Sequence, residues 1–411
     1  MTLVRLFVLL TLLGVAACSD SGADEAAPGS GAAGGDGGAT SGGGSGGASG
    51  STASGGNAGT SSGGAAGSGN SGGTSLLDGN TLTLTGGDFG QKSPPGPVVF
   101  DRFEQGTAGA TIAKCEIGPS WQIDGGNVSY DATHAFSGTQ AALVDWTDDT
   151  TWSNFAYVGN LDATEIYYSY RFYKEVYGGT DVGWNFKHGA ISSSDVDVYH
   201  GTLEYVSVEL GSAKEKQSYT IAGAGAQGDA DHTFYAADSV AYFPDDGWHR
   251  LEHYVKLSTP GGTANGKRYF KVDGNGNFTF SAVPNGHYAS PSGAIPHTEY
   301  DGDDIVTRPA GVDLTLENVL LPFYLRPGYS ARGWVDEVYI DRTQARVELG
   351  DDADWYKCTQ RFPQPATSWS PSSIEITVNG GTFSVGEAVY AFVVRADGTI
   401  VSLGQVGTWG S

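Results

Sequence analysis

Beyond residue 76, apolar and polar residues alternate in short runs, which is the period of a β-strand with one buried face. Clusters of Gly, Asn, Asp and Pro separate the runs and mark turns. The runs include TLTLTG, EIYYSYRFY, LEYVSVEL, RLEHYVKL, WVDEVYID and AVYAFVV. Because helical periodicity is almost absent, we predict an all-β fold of the sandwich type.

The N-terminus follows a different pattern. Residues 1–18 contain one arginine, a short apolar run and small residues that end at Cys18. A membrane-spanning helix needs about 20 apolar residues, so this run predicts a signal peptide. The segment VAAC resembles a bacterial lipobox, which implies lipidation of Cys18 and anchoring to the cell envelope, at the outer membrane or cell surface. The alternative is a plain cleaved signal peptide with an incidental cysteine.

The next segment, residues 19–75, consists almost entirely of Gly, Ala, Ser and Thr. This composition cannot bury enough apolar surface to offset the entropy of ordering, so we predict a disordered, flexible tether. The root-mean-square reach of such a coil is roughly 40 Å. The folded part is therefore expected to stand clear of the membrane.

Charge and cysteine content narrow the possible partners and linkages. The formal net charge is −24, and nucleic-acid binding needs clustered Lys and Arg, so we do not expect a nucleic-acid partner. The two cysteines beyond Cys18 are Cys115 and Cys358. An exported chain meets an oxidising compartment, and because two cysteines remain after Cys18 we predict one disulfide between them. Two unpaired buried thiols are the alternative.

Two distant segments resemble parts of one fold. NTLTLTGGDFGQ (80–91) resembles the opening strand and turn of an IPT/TIG immunoglobulin-like domain, and residues 369–409 resemble its later strands. Neither segment has enough strands for a stable sandwich by itself. We therefore predict a small Ig-like β-sandwich formed by residues 76–99 plus 359–411 and split by a large insertion.

The insertion, residues 100–358, resembles a concanavalin A-like or carbohydrate-binding jelly roll. The resemblance rests on FDRFEQGTAG at its start and GWVDEVYIDRTQARVELGD at its end. Its middle, DDGWHRLEHYVKLSTPGGTANGKRYFKVDG, is similar to polysaccharide lyases of the alginate and glucuronan type. These are patterns of strands and turns, and none is specific to one activity.

Strand alternation suggests a groove for a glycan. In GWNFKHG (183–189), Trp184, Phe186 and His188 share one face, and the residues between them share the other. If the aromatic face enters the core, the polar face joins residues from other strands in a concave groove. The candidate glycan-binding residues are Asn185, Lys187, Tyr205, Arg250, Lys256 and Tyr324. A single bulge would exchange the two faces of a strand.

The similarity to lyases implies a catalytic interpretation of the same face. Removing the proton beside a uronate carboxylate requires a cation or amide to neutralise that carboxylate, a base, and an acid for the leaving oxygen. By analogy with the lyases the candidates are Lys187, His188, Tyr254 and Arg326. The alternative is that these are solvated outer-face residues without a function, as most charged residues are.

The jelly-roll resemblance also implies a structural calcium ion. In many carbohydrate-binding jelly rolls a Phe-Glu near the first strand and an acidic pair in the last strand share Ca²⁺. Here Phe103-Glu104 and Asp336-Glu337 match, which makes Glu104 and Asp336 the candidate ligands and Asp101 a weaker one. An acidic surface pair without an ion is the alternative.

Together these features favour a cell-surface lipoprotein that binds extracellular polysaccharide through the concave face of its jelly roll. A polysaccharide lyase that cleaves a uronate-containing glycan by β-elimination is the second hypothesis. A structural or adhesion module without glycan binding is the third.

Overall fold

The computed structural model describes residues 75–147, 155–178, 186–193, 202–211, 214–221, 232–236, 247–263, 265–273, 280–281, 308, 310–311, 313, 315–322, 324–325 and 330–410. These residues form strands, turns and loops, so the prediction of an all-β fold is confirmed. No helix long and apolar enough to cross a membrane occurs in this part of the chain. The predicted signal peptide, Cys18 and the tether lie outside it, apart from Ser75 at the tether's end.

In chain order the strands are β1 (Ser75–Leu76), β2 (Thr81–Thr85), β3 (Val99–Asp101), β4 (Gln122–Asp124), β5 (Val128–Asp131), β6 (Ala141–Asp145), β7 (Phe155–Val158), β8 (Glu165–Gly178), β9 (Phe186–Ser193), β10 (Thr202–Gly211), β11 (Lys214–Ile221), β12 (His232–Ala236), β13 (His249–Lys256), β14 (Lys267–Val272), β15 (Phe280–Ser281), β16 (Leu316–Leu320), β17 (Tyr324–Leu325), β18 (Ser330–Asp341), β19 (Arg346–Gly350), β20 (Arg361–Gln364), β21 (Ala366–Trp369), β22 (Ser373–Thr377), β23 (Ala388–Val394) and β24 (Ile400–Trp409).

Two large sheets form the main sandwich. Within the described residues, one sheet has seven strands in the order β14-β13-β8-β18-β6-β5, with β3 paired to β18. The other has nine strands in the order β15-β12-β11-β10-β9-β16-β7-β4, with β17 paired to β9. We refer to them below as the seven-stranded and nine-stranded sheets.

The main hydrophobic core lies between these sheets, and strand alternation explains its composition. On β8, Ile166, Tyr168, Tyr170 and Phe172 belong to this core, and the residues between them lie on the opposite face. On β13, the core residues Leu251 and Val255 alternate with polar residues in the same way. The run RLEHYVKL thus has one core face and one opposite face, as its alternating pattern predicts.

Both ends of the described chain form a second, smaller sandwich. Its three-stranded sheet has the order β2-β22-β21, and its five-stranded sheet has the order β1-β24-β23-β19-β20. Leu84, Phe362, Ile374 and Val389 are among the residues of its separate core. Strand β19 pairs with β20 and β23, so this sandwich takes up a strand from the segment that was predicted to end the jelly roll.

The outer face of the seven-stranded sheet packs against the smaller sandwich through a buried ion network. Glu348 accepts hydrogen bonds from Arg250 (Nη1–Oε2 and Nη2–Oε1, both 2.9 Å) and from Arg346 (Nε–Oε1, 2.6 Å). Glu252 lies 3.2 Å from Arg346 Nη2 and accepts a 2.7 Å hydrogen bond from Tyr167 Oη. Burial alone would raise the pKa of Glu348, but the charges of Arg250 and Arg346 outweigh it and hold the pKa well below its usual range.

Candidate functional site

Part of the predicted groove lies in the nine-stranded sheet. Lys187 and His188 are in β9, Tyr205 is in β10 and Tyr324 is in β17. Lys187 is the register partner of Tyr324 on one side and of Ser207 on the other. The structure thus brings Lys187 and Tyr324 to paired backbone positions. Asn185 and Arg326 lie outside the described residues.

The pairing of β9 with β10 contains a shift at this point. Val206 pairs with Gly189, whereas the next residue of β10, Ser207, pairs with Lys187. His188 is skipped, which is the pattern of a β-bulge. The simple alternation assumed for GWNFKHG therefore does not continue through His188, and it no longer fixes the faces of the preceding residues.

The other predicted groove residues belong to a different sheet. Arg250, Tyr254 and Lys256 lie on β13 in the seven-stranded sheet. Arg250 is buried in the ion network with Glu348, and Tyr254, which is 1% exposed, packs in a buried cluster with the aromatic residues Phe100, Tyr167 and Tyr339. Lys256 is exposed. The expectation that these residues gather on one face with Lys187 is wrong, because alternation gives the face of a strand and not the sheet that the strand joins.

Sequence reasoning missed a polar cluster on the nine-stranded sheet. Ile191 and Val319 pair with each other in the core, and the next pair, Ser192 and Asn318, lies on the opposite face. Asn318 Nδ2 donates a 2.7 Å hydrogen bond to Ser192 Oγ. A Cβ on Gly159 would lie 2.5 Å from Asn318 Oδ1, so only glycine allows this close approach. An asparagine inside the apolar run NVLLPF is the signal that could have revealed the cluster.

The core beneath β9 contains a second polar group. Tyr168 Oη lies 3.0 Å from His253 Nδ1, and the rings of Tyr168 and Tyr170 are stacked with centroids 6.1 Å apart. A Cβ on Gly189 would lie 2.8 Å from Tyr168 Oη and 3.2 Å from Tyr170 Oη. Burial raises the pKa of Tyr170 well above its ordinary value, so its hydroxyl stays protonated. All three side chains are fully buried, so they support β9 from inside and do not contact a ligand on the outer face.

The residues predicted to bind calcium hold one loop. Glu104 accepts hydrogen bonds from Thr139 N (2.7 Å), Thr139 Oγ1 (2.6 Å) and Gln140 N (3.0 Å). Asp336 accepts them from the backbone nitrogens of Phe136 (2.9 Å), Ser137 (3.0 Å) and Glu337 (2.7 Å). Two carboxylates from opposite ends of the jelly roll thus fix loop 136–140.

Ca²⁺ takes six to eight oxygen ligands, and the carboxylates of Glu104 and Asp336 already accept N–H groups of this loop. The weaker candidate, Asp101, is engaged separately, with Trp121 Nε1 at 2.6 Å and Phe103 N at 2.9 Å. Burial and the charge of Glu337 raise the pKa of Asp336 well above its usual range. No group of three His, Cys, Asp or Glu in the described part of the chain could hold a metal ion. The calcium site stays a prediction.

The predicted disulfide between Cys115 and Cys358 is wrong, since both cysteines are free. Cys115 belongs to the core of the main sandwich, whereas Cys358 packs near Trp355 and Phe392 in the smaller one. Burial raises the pKa of both thiols, so neither is activated as a thiolate. The two side chains belong to different cores, which the count of cysteines could not reveal.

Comparison with known proteins gives no family. No protein-family model matches the chain, and no curated protein matches it either. Among solved structures, the cellulose induced protein Cip1 is similar at 14% identity, covering 60% of this chain and 97% of its own, with a TM-score of 0.35.

Two further solved structures show similarities of the same size. The alginate lyase vAL-1 from Chlorella virus is 13% identical, over 54% of this chain and 92% of its own, with a TM-score of 0.33. The receptor binding domain of botulinum neurotoxin type G is 6% identical over 75% and 74%, with a TM-score of 0.33. Similarities of this size assign neither a ligand nor a reaction.

Proposed function

We propose that the protein binds an extracellular polysaccharide on the outer face of the nine-stranded sheet. The observation that carries this proposal is that the smaller sandwich packs on only one of the two large sheets within the described residues. The outer face of the seven-stranded sheet is closed by the smaller sandwich and its ion network. We therefore assign the polysaccharide to the other large sheet, the nine-stranded one.

The chemistry of the nine-stranded sheet supports a sugar ligand. Lys187 of β9 and Tyr324 of β17 occupy paired positions near its centre. A lysine can donate to sugar hydroxyls, and tyrosine rings stack on pyranose faces. A cation there would favour a glycan that carries carboxylates.

The location of the protein belongs to the same proposal. A lipobox at Cys18 and a flexible tether would hold a polysaccharide-binding sandwich at the outer membrane or cell surface. An IPT/TIG-like identity of the smaller sandwich is likewise a proposal. It rests on the resemblance of its first and last segments.

The lyase hypothesis is weaker than the binding hypothesis. Tyr254 was one of its four candidate catalytic residues, and that side chain is 1% exposed behind the smaller sandwich. A catalytic group must come within about 3 Å of the proton it transfers, so Tyr254 cannot act on a substrate outside the sandwich. A lyase would need Lys187 and His188 to work with another residue.

The proposal is tested by retention of the purified protein on a panel of uronate and neutral polysaccharides, followed in parallel for unsaturated chain ends. We expect retention without unsaturated product. Lys187→Ala is expected to weaken binding about five- to tenfold, which corresponds to one charge-assisted hydrogen bond of about 1–1.4 kcal/mol.

Lys256→Ala is the matched control because it removes the same charge from the other sheet. We expect it to leave retention unchanged. Equal effects of the two substitutions would show that only net charge matters and would contradict a site at β9. Unsaturated product lost in Lys187→Ala would favour the lyase, and no retention on any glycan would favour the structural module.

A further inference from the structure

A polar cavity of about 350 Å³ lies where the seven-stranded sheet meets the smaller sandwich. This volume is within the range of about 300–1,000 Å³ that is typical of small-molecule sites. It opens beside the exposed residues Thr359 and Thr382. Its remaining lining residues are Phe136, Arg171, Trp248, Arg250, Asp273, Cys358, Gln360 and Arg361.

The inner wall carries two guanidinium groups side by side. Arg171 and Arg250 are register partners on β8 and β13. Each donates a 3.2 Å hydrogen bond to the same acceptor, the carbonyl oxygen of Arg361. Like charges directly opposite each other on neighbouring strands repel, so this arrangement needs negative charge nearby.

Arg250 has a carboxylate partner in direct contact, whereas the guanidinium of Arg171 lies over the rings of Phe136 (4.4 Å to the centroid) and Phe362 (5.6 Å). Arg250 forms a two-point contact with Glu348, whereas Arg171 forms no salt bridge with any residue that the structure describes. Asp336, the register partner of Arg171 on β18, already accepts three backbone N–H groups. Arg171 is 9% exposed, so water neutralises little of its charge.

The carboxylates that act on Arg171 from a distance are engaged with other groups. Glu337 accepts hydrogen bonds from Ser137 Oγ and Asn379 Nδ2, both 2.6 Å. Asp273 accepts from Arg250 N at 2.8 Å and contacts His249 Nδ1 at 2.7 Å. Burial and the charge of Arg250 lower the pKa of Arg171 to about 10, which leaves it protonated at neutral pH.

The rest of the wall suits a ring with hydroxyl groups. The half-buried Trp248 and Phe136 form an edge-to-face pair with centroids 5.8 Å apart. Gln360 and Thr382 lie at the mouth, where Thr382 Oγ1 donates a 2.6 Å hydrogen bond to Gln360 Oε1. A flat apolar face beside hydroxyl and amide groups is the usual lining of a sugar site. An inorganic anion would leave most of this wall without a partner.

We propose that the junction cavity binds a single hexuronic acid unit, with its carboxylate against Arg171 and its ring against Trp248. The carboxylate would receive charge-assisted hydrogen bonds from a guanidinium that lacks a salt bridge. This site is separate from the outer face of the nine-stranded sheet, and its residues differ from those tested there. Failure of one proposal therefore leaves the other standing.

The test is isothermal titration of the purified full chain with glucuronic acid, with glucose and sulfate as comparison ligands. We expect glucuronic acid to bind and glucose and sulfate to bind at least about tenfold more weakly. Arg171→Gln is expected to weaken glucuronic acid binding by about tenfold or more, and Arg171→Lys to restore part of it.

A second variant avoids the buried network. Thr382→Trp enlarges an exposed side chain at the mouth and is expected to abolish binding without a change in the melting temperature. Thr107→Trp is its control, since Thr107 is exposed away from the cavity and should leave binding intact. Equal binding of sulfate, no binding of glucuronic acid, or full binding by Thr382→Trp would each overturn the proposal.

Discussion

Replacing Glu348 with glutamine removes the charge at the centre of the junction between the two sandwiches. Glu348 is fully buried and accepts hydrogen bonds from three arginines, at 2.9 Å from Arg250, 2.6 Å from Arg346 and 3.3 Å from Arg361. A glutamine side chain keeps one acceptor oxygen and turns an NH₂ group towards guanidinium donors. Removing one partner of a buried ion pair costs about 3–5 kcal/mol, because the remaining charge stays buried.

This loss is large compared with the free energy of unfolding of a typical protein, about 5–15 kcal/mol. The assay is equilibrium urea unfolding at pH 7, in which Glu348→Gln should lower the midpoint by more than about 1 M at an unchanged slope. Glu116→Gln is the matched control, because Glu116 pairs with Arg102 at the surface and should cost less than about 1 kcal/mol. A loss below 1 kcal/mol in Glu348→Gln would refute the reasoning.

The same network predicts a pH dependence with a definite sign. The pKa of Glu348 in the folded protein is below its value in the unfolded chain, so its contribution is fully present above about pH 4.3 and is lost as the pH falls further. The difference in stability between the wild type and Glu348→Gln should therefore shrink in acid. A constant difference down to pH 2.5 would contradict this origin of the effect.

Three further predictions follow from other parts of the molecule. Because Cys115 and Cys358 are free, dithiothreitol should leave the melting temperature unchanged, and both thiols should react with a thiol reagent after unfolding; a lower melting temperature would indicate a disulfide. If Glu104 and Asp336 bind Ca²⁺, a chelator should lower the melting temperature and added Ca²⁺ should restore it, whereas an unchanged melting temperature would contradict the calcium site. In urea unfolding, Gly381→Ala should destabilise the protein by more than about 2 kcal/mol, since its Cβ would lie 2.1 Å from the Phe362 ring. The control Gly386→Ala has open space around its Cβ and should cost only about 1 kcal/mol.

Local strand structure could be predicted because it depends on alternation within a few residues. The inward and outward faces of β8 and β13 follow directly from EIYYSYRFY and RLEHYVKL. Which sheet a strand joins depends on contacts between residues that are far apart in the chain. That is why Tyr254 was placed beside Lys187, although their strands belong to different sheets.

The exposure of charged residues was predicted wrongly for a related reason. Arg250 was assigned to an open groove because strand alternation places it on the outer face of its strand. In the structure it is 4% exposed, because the smaller sandwich supplies Glu348 as its partner. A buried charge becomes recognisable only together with its partner, and this partner lies in a strand that the sequence alone assigned to the jelly roll. The bulge at His188 has no comparable signal in the sequence.

The assembly of the smaller sandwich from both ends of the chain has a consequence for biosynthesis. Ser75 pairs with Thr408, and Leu82 pairs with Ile376, so these early strands have partners that are made much later. Synthesis proceeds from the N-terminus, and β1 and β2 therefore stay unpaired until β22 and β24 have been made. A chain that terminates early keeps an open β-edge, which is a substrate for proteases and a template for aggregation. Truncation before β22 is therefore expected to expose this edge, even where the main sandwich has formed.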